Sequence, residues 1–298
     1  MSFRKVVSAV LGVLLALASF THAQQAPPAV PPGVKVLRNL PYVENGHERQ
    51  KLDLYLPENV NGPLPVVVWV HGGGWRSGSK DRCPAVPLVA KGFAVASINY
   101  RLSQHASFPA QIEDCKAAIR WLRAHAKQYR LDAHHIGAWG ASAGGHLVAL
   151  LGTTGNGKEF KTGGANADQS SKVQAVCDWF GPTDFLRLVS SSNGAKNPVT
   201  SLLGGPVQEN QKKARQASPL THVANSDPPF LIMHGDQDRV VPLSQSEVFA
   251  DALRKAGVDV TLRVIQGAGH GGPGFQSPEI KNQVEEFFVK NLKKSTSG

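Results

Sequence analysis

Nowhere in the 298 residues is there an apolar run of the ~20 residues that a bilayer-spanning helix requires. The longest, Val6–Phe20, has 15. Runs of like charge are also missing, and no aromatics are interleaved with the basic residues. The formal charge of +10 therefore reads as a solvated surface rather than a nucleic-acid face. Glycine (30) and proline (20) follow no repeat, which excludes collagen and solenoids. Charged residues make up only 18% against 41% hydrophobic, which excludes a disordered chain or a coiled coil and leaves ample material for a core. No glycine loop ending in G-K-[ST] occurs, so there is no sign of a P-loop site. The three cysteines fit no zinc spacing.

What is present begins with a leader. Arg4 and Lys5 precede the apolar run, and Thr21-His22-Ala23 supplies the small residues of a cleavage site. This predicts a signal peptide over 1–23, export to the periplasm or beyond, and no membrane association once the leader is cut. A Pro- and Ala-rich linker over 24–34 follows, and one catalytic domain over 35–298. In an exported protein one cysteine pair is expected to be bridged. Cys177 sits in an apolar run that reads as a central strand, so Cys83–Cys115 is the expected disulfide, with three free thiols as the alternative. Such a bridge would close a loop of about 30 residues and contribute roughly 3–4 kcal/mol.

Along the chain, β-type runs alternate with helical patterns. Val34–Val43 and Gln50–Pro57 read as antiparallel strands about an Asn45-Gly46 turn. Leu64–Val70, Phe93–Tyr100, His135–Gly140, Val173–Phe180, Pro229–His234 and Val260–Ile265 read as buried strands. Helices are expected over Pro109–Tyr129, Ala143–Leu151, Ser244–Ala256 and Pro278–Lys290. This rhythm predicts an α/β fold: a mainly parallel sheet with helices on both faces. Gly152–Lys172 and Phe185–Val223 break the pattern and read as long polar connections at the functional rim.

Four strand ends carry chemistry. Gly140-Ala141-Ser142-Ala143-Gly144 is a G-x-S-x-G between a strand and a helix, the context in which such a serine is a nucleophile. His71-Gly72-Gly73-Gly74-Trp75 follows a buried strand. Its glycines allow the Gly73 and Gly74 N–H groups, with that of Ala143, to converge on a developing oxyanion. His71 itself reads as a structural hydrogen-bonder. After Pro229–His234 come two carboxylates. Asp238 is preferred as the acid because Val240-Val241-Pro242 anchors the loop behind it, whereas Asp236 shapes the turn. Gly267-Ala268-Gly269-His270-Gly271 presents a histidine with little packing value, which reads as the base. Asp184 reads as a cap for the segment after it. Trp75, Trp179 and Phe180 are candidates for lining a substrate pocket. Asp53, Asp81 and Asp114 stand apart and read as surface or capping groups.

The order Ser142, Asp238, His270 resembles that of the α/β-hydrolase superfamily. Within it, His71–Trp75, Asn99-Tyr100-Arg101, Gly140–Gly145, Gly181–Asp184 and Gly235–Asp238 resemble the bacterial feruloyl/acetylxylan-type esterases, relatives of the hormone-sensitive-lipase group. Two departures stand out: Ala141 occupies a position that is usually acidic, and the short stretch before the first strand leaves no room for a helical cap. The resemblance implies an eight-stranded, mostly parallel twisted sheet without a large cap domain. It also implies serine carboxylesterase activity on short-chain or aromatic acyl esters, acetyl or feruloyl esters of plant polysaccharide among them, and no cofactor or metal. A serine exopeptidase or amidase with the same three residues is the competing enzyme reading. A non-catalytic binding protein is disfavoured because serine and histidine are both present.

Overall fold

The computed structural model describes residues 30–59, 62–155, 159–160, 166–188 and 197–293. The proposed leader and most of the proline-rich stretch lie outside these residues. Eight strands form one sheet: β1 (Val34–Pro41), β2 (Lys51–Pro57), β3 (Leu64–Val70), β4 (Ala94–Ile98), β5 (Leu131–Ala141), β6 (Ala175–Trp179), β7 (Phe230–Gly235) and β8 (Val260–Ile265). Their spatial order is β1-β2-β4-β3-β5-β6-β7-β8. The β1–β2 and β2–β4 pairings are antiparallel and the other five are parallel. This is the α/β-hydrolase arrangement.

The pleat sorts the strand residues onto two faces. Val66, Val68 and Val70 of β3 join the larger core. There they pack with α1 (Ala110–Ala124), α3 (Ala143–Thr154) and α7 (Ser244–Lys255). Val67 and Trp69 join the other core, closed by α8 (Pro278–Leu292) and the 3-10 turn Val86–Lys91. Helix α1 follows its apolar spacing, with Ile112, Cys115, Ile119 and Leu122 wholly buried. The expected Pro109–Tyr129 helix is broken at His125, and a short α2 (Ala126–Tyr129) completes it.

Three expectations need correcting. The Cys83–Cys115 disulfide is absent, and all three cysteines are free. Cys115 points from α1 into one core while Cys83 packs against the other, so the sheet stands between them. The connection 185–223 is not mere loop. It contains α4 (Phe185–Leu188), α5 (Pro198–Leu203), α6 (Gln211–Ala217) and the 3-10 turn Pro219–His222. Asp53 and Asp114 are buried rather than at the surface. Asp53 is paired with Lys80 at 2.8 Å and Arg38 at 3.1 Å, and Asp114 with Arg101 at 2.7 Å.

The parallel strands β3, β5, β6, β7 and β8 all end at one rim of the sheet. Because β3 lies beside β5, the loop after β3 falls next to the loop after β5. Open parallel sheets bind ligands at this rim.

Candidate active site

Ser142 occupies the turn between β5 and α3 with φ 57° and ψ −121°, a conformation L-residues rarely adopt. Two hydrogen bonds hold it there. Its N–H donates to the Trp179 carbonyl at 2.8 Å, and its own carbonyl accepts from the His146 N–H at 2.9 Å. The glycines of the motif exist for close approach. A Cβ on Gly140 would run into the Gly144 backbone, and one on Gly144 into the Val70 carbonyl. The turn is therefore packed against both α3 and the end of β3 with no space for a side chain.

His270 reaches the serine from β8 because its loop folds back over the end of β7. The Gln237 N–H donates to the Ala268 carbonyl at 2.9 Å, and the Gly267 N–H donates to Asp236 Oδ1 at 2.7 Å. Asp236 thus stitches two loops together, the turn-shaping role read from the sequence. The His270 ring rests on Phe180, with centroids 4.6 Å apart.

The hydrogen bonds then set the tautomer. His270 Nδ1 lies 2.7 Å from Asp238 Oδ2, and Nε2 lies 2.8 Å from Ser142 Oγ. A carboxylate only accepts, so Nδ1 carries the proton and Nε2 is left to accept from the serine hydroxyl. Burial of Asp238 opposes its charge. Hydrogen bonds from His234 and His270 and from the Val241 and Val240 amides outweigh that cost and hold its pKa well below the usual carboxylate range.

On the other flank, Gly73 (φ 105°) and Gly74 (φ 58°) turn the chain after β3. Among the described residues, the N–H groups of Gly73, Gly74 and Ala143 have no hydrogen-bond acceptor. Pro198 of α5 borders this loop: a Cβ on Gly74 would meet its ring at 3.3 Å.

A cleft of about 890 Å³ opens alongside. Its walls include Trp69, Ala141, Trp179, Phe180 and Phe275, with exposed Arg82 at the edge. Two of the three aromatic candidates therefore line it. Trp75 does not: it is 3% exposed, in the core, and its indole donates to His146 Nδ1 at 3.2 Å. His146 in turn donates to the Ala217 carbonyl at 2.7 Å, and burial lowers its pKa to about 4. This pair ties the 185–223 connection to α3. Asp184 is the cap it was read to be, accepting from the Leu186 N–H at 3.0 Å.

Sequence reasoning passed over His234 and Ser246. His234 is wholly buried, with Nε2 2.9 Å from the Val241 carbonyl and 3.3 Å from Asp238 Oδ2. Both are acceptors, so Nε2 carries the proton, and Nδ1 accepts from the Ser246 hydroxyl at 2.6 Å. The available signal was a histidine closing an otherwise apolar strand. Among the described residues no cluster of His, Cys, Asp and Glu could hold a metal.

The BD-FAE family model matches residues 52–253. The chain belongs to the BD-FAE family. It is 36% identical over 203 residues to the "probable carboxylic ester hydrolase LipM" of Mycobacterium tuberculosis, covering 66% of this chain and 46% of that one. Across LipM and the esterases LipC and LipQ of the same organism, the chain spans 46% to 64% of the relative's length. Two solved structures extend the comparison. A truncated carbohydrate esterase from gut microbiota is 34% identical with a TM-score of 0.82, covering 87% of this chain and 97% of that one. An acetyl ester-xyloside bifunctional hydrolase from Caldicellulosiruptor lactoaceticus is 26% identical with a TM-score of 0.69, covering 80% and 87%. The features the BD-FAE match spans include the glycine loop after β3, the serine turn and the Asp238 loop, while His270 lies beyond it.

Proposed function

We propose that this BD-FAE protein is an exported serine carboxylesterase acting on short-chain or aromatic acyl esters, including acetyl or feruloyl groups carried by plant polysaccharide. The observation that carries the reading is the unbroken chain Ser142 Oγ, His270 Nε2, His270 Nδ1, Asp238 Oδ2, with links of 2.8 and 2.7 Å, beside an aromatic cleft. The resemblance to ester hydrolases and to a carbohydrate esterase supports the reaction class and the kind of substrate. Export rests on the leader pattern of residues 1–23.

In this mechanism the Ser142 hydroxyl attacks the ester carbonyl as its proton passes to His270 Nε2. The carbonyl oxygen becomes an oxyanion and takes hydrogen bonds from the Gly73, Gly74 and Ala143 amides, which stand at a glycine turn and at the N-terminus of α3. Asp238 stays ionised, keeps the proton on Nδ1 and stabilises the imidazolium. His270 then delivers its proton to the departing alcohol. A water molecule, deprotonated by the same Nε2, attacks the acyl-serine and releases the acid. Trp179 and Phe180 provide ring surface for the acyl group or the sugar.

Ser142→Ala tests this directly. Turnover of a nitrophenyl acetate should vanish while the circular dichroism spectrum is unchanged, and retained turnover would remove Ser142 from the reaction. An ester panel spanning acetyl, butyryl and feruloyl sugars then sets the acyl preference. Hydrolysis of aminoacyl anilides without comparable ester turnover would replace this reading with the peptidase one.

A further inference from the structure

We propose that Arg49, in the connection between β1 and β2, is a positioning residue that aims the Gly73 N–H into the oxyanion hole by fixing the tautomer of His71. The inference rests on the ester-hydrolase reading above and adds a residue that no catalytic motif contains.

Four contacts define the geometry. Arg49 Nε donates to the Tyr100 carbonyl at 2.9 Å, and Nη2 donates to the Gly78 carbonyl at 2.9 Å. Nη2 also lies 3.2 Å from His71 Nε2. His71 Nδ1 lies 2.7 Å from the Gly72 carbonyl oxygen. A guanidinium has only donors, so His71 Nε2 must offer its lone pair and the ring proton must sit on Nδ1. Nδ1–H then donates to the Gly72 carbonyl.

That carbonyl and the Gly73 N–H belong to the same peptide unit, which is planar and trans. Fixing the oxygen fixes the direction of the N–H opposite to it. The two flanking glycines leave this peptide free to rotate otherwise, and Gly73 has φ 105°. The His71 ring cannot turn away either. It stacks on Tyr100 with centroids 4.5 Å apart and planes 14° from parallel, and the Tyr100 hydroxyl donates to the His71 carbonyl at 3.0 Å. A Cβ on Gly78 would come within 2.6 Å of both His71 Nδ1 and the Gly72 oxygen, so the loop is closed tightly over the bond. Burial lowers the His71 pKa to about 4, consistent with a neutral ring facing the Arg49 cation and, further off, Asp81.

The alternative is that Arg49 merely holds the loop together. The two differ in what they do to the transition state. Losing an oxyanion donor outright costs about 10²–10³ in kcat, so a donor left in place but misaimed should cost about 10- to 100-fold. For Arg49→Met we expect kcat on nitrophenyl acetate to fall by that factor with KM changed less than about threefold. Affinity for a trifluoromethyl ketone, whose serine adduct carries an oxyanion, should fall in parallel, and Arg49→Lys should recover part of both. A wild-type kcat in Arg49→Met, or a kcat loss not matched by the ketone, overturns the proposal. The wild-type protein supplies a measurement independent of whether the variant folds. The ¹⁵N shifts of His71 at neutral pH should report a protonated Nδ1 and a bare Nε2, and the opposite pattern overturns the proposal. If the wild-type protein hydrolyses no ester, the ester-hydrolase reading has failed instead, and the His71 tautomer still decides the geometric claim.

Discussion

The two flanks of Ser142 are held in different ways. On the acid flank, Asp238 is gripped by the end of β7 and the loop that follows it. The Val240 and Val241 amides donate to it, His234 Nε2 lies 3.3 Å from it, and His270 comes from the loop after β8. On the other flank, the amides at Gly73 and Gly74 are held through the carbonyls of their own peptides: the Gly72 carbonyl accepts from His71 Nδ1, and the Gly73 carbonyl accepts from the Arg76 and Ser77 N–H groups and the Ser77 hydroxyl. Their loop leans on Arg49 before β2, on Tyr100 after β4 and on Pro198 of α5. A carboxylate is a strong acceptor and organises nearby donors around itself. A glycine peptide carries no charge and is a weaker organiser, so the loop that contains it is also braced by neighbours brought in by the fold.

The largest effect that would sharpen this contrast concerns the carboxylate. Asp238→Asn should lower kcat about 10³- to 10⁴-fold, because the amide leaves His270 in the wrong tautomer. Asp236→Asn, by contrast, should cost no more than a few-fold, since that residue only joins two loops. Comparable losses in the two variants would show that the acid flank is not centred on Asp238. Next in size is the support behind it. Ser246→Ala leaves a buried His234 nitrogen without its donor, which should destabilise the protein by about 1–3 kcal/mol in urea melts, with kcat reduced less than tenfold. A larger loss in kcat with no loss of stability would mean that the acid flank relays more than position.

The smallest effect lies beneath the site. Asp178 of β6 is wholly buried; its Oδ1 accepts from the Gly181 N–H at 2.9 Å, and its Oδ2 has no partner among the described residues. Burial raises its pKa to about 6. Between about pH 4 and 6 the folded protein keeps a proton there that the unfolded chain has released, so this residue's contribution to stability declines as pH rises through that window. Asp178→Asn should flatten the decline, a difference of about 1–3 kcal/mol between unfolding free energies from urea melts at pH 4 and 7. An unchanged slope would show that Asp178 does not hold that proton.

Much of this could be read from residue order. Strands β3 and β8 begin and end where their apolar runs do, and the others fall within a few residues of expectation. Ser142, Asp238 and His270 were chosen from glycine-rich loops at strand ends, and in space they meet. What escaped was everything decided by topology. Which core a side chain enters depends on the pleat and on the route of a loop, so spacing alone does not tell that Trp75 enters the core or that Cys83 and Cys115 lie on opposite sides of the sheet. Arg49 sits in a stretch with no motif, and its partners are 22 to 51 positions away. The helices α4 to α6 are short, and their apolar anchors, such as Phe185 and Leu202, have no period long enough to recognise.

The backbone at Ser142 has one more implication. With φ at 57° the residue occupies a region in which any L side chain costs about 1–3 kcal/mol, a cost glycine would escape. The chain has thus surrendered robustness at the spot where a hydroxyl is needed. Selection for durability alone would erode that hydroxyl toward a sturdier and inert protein.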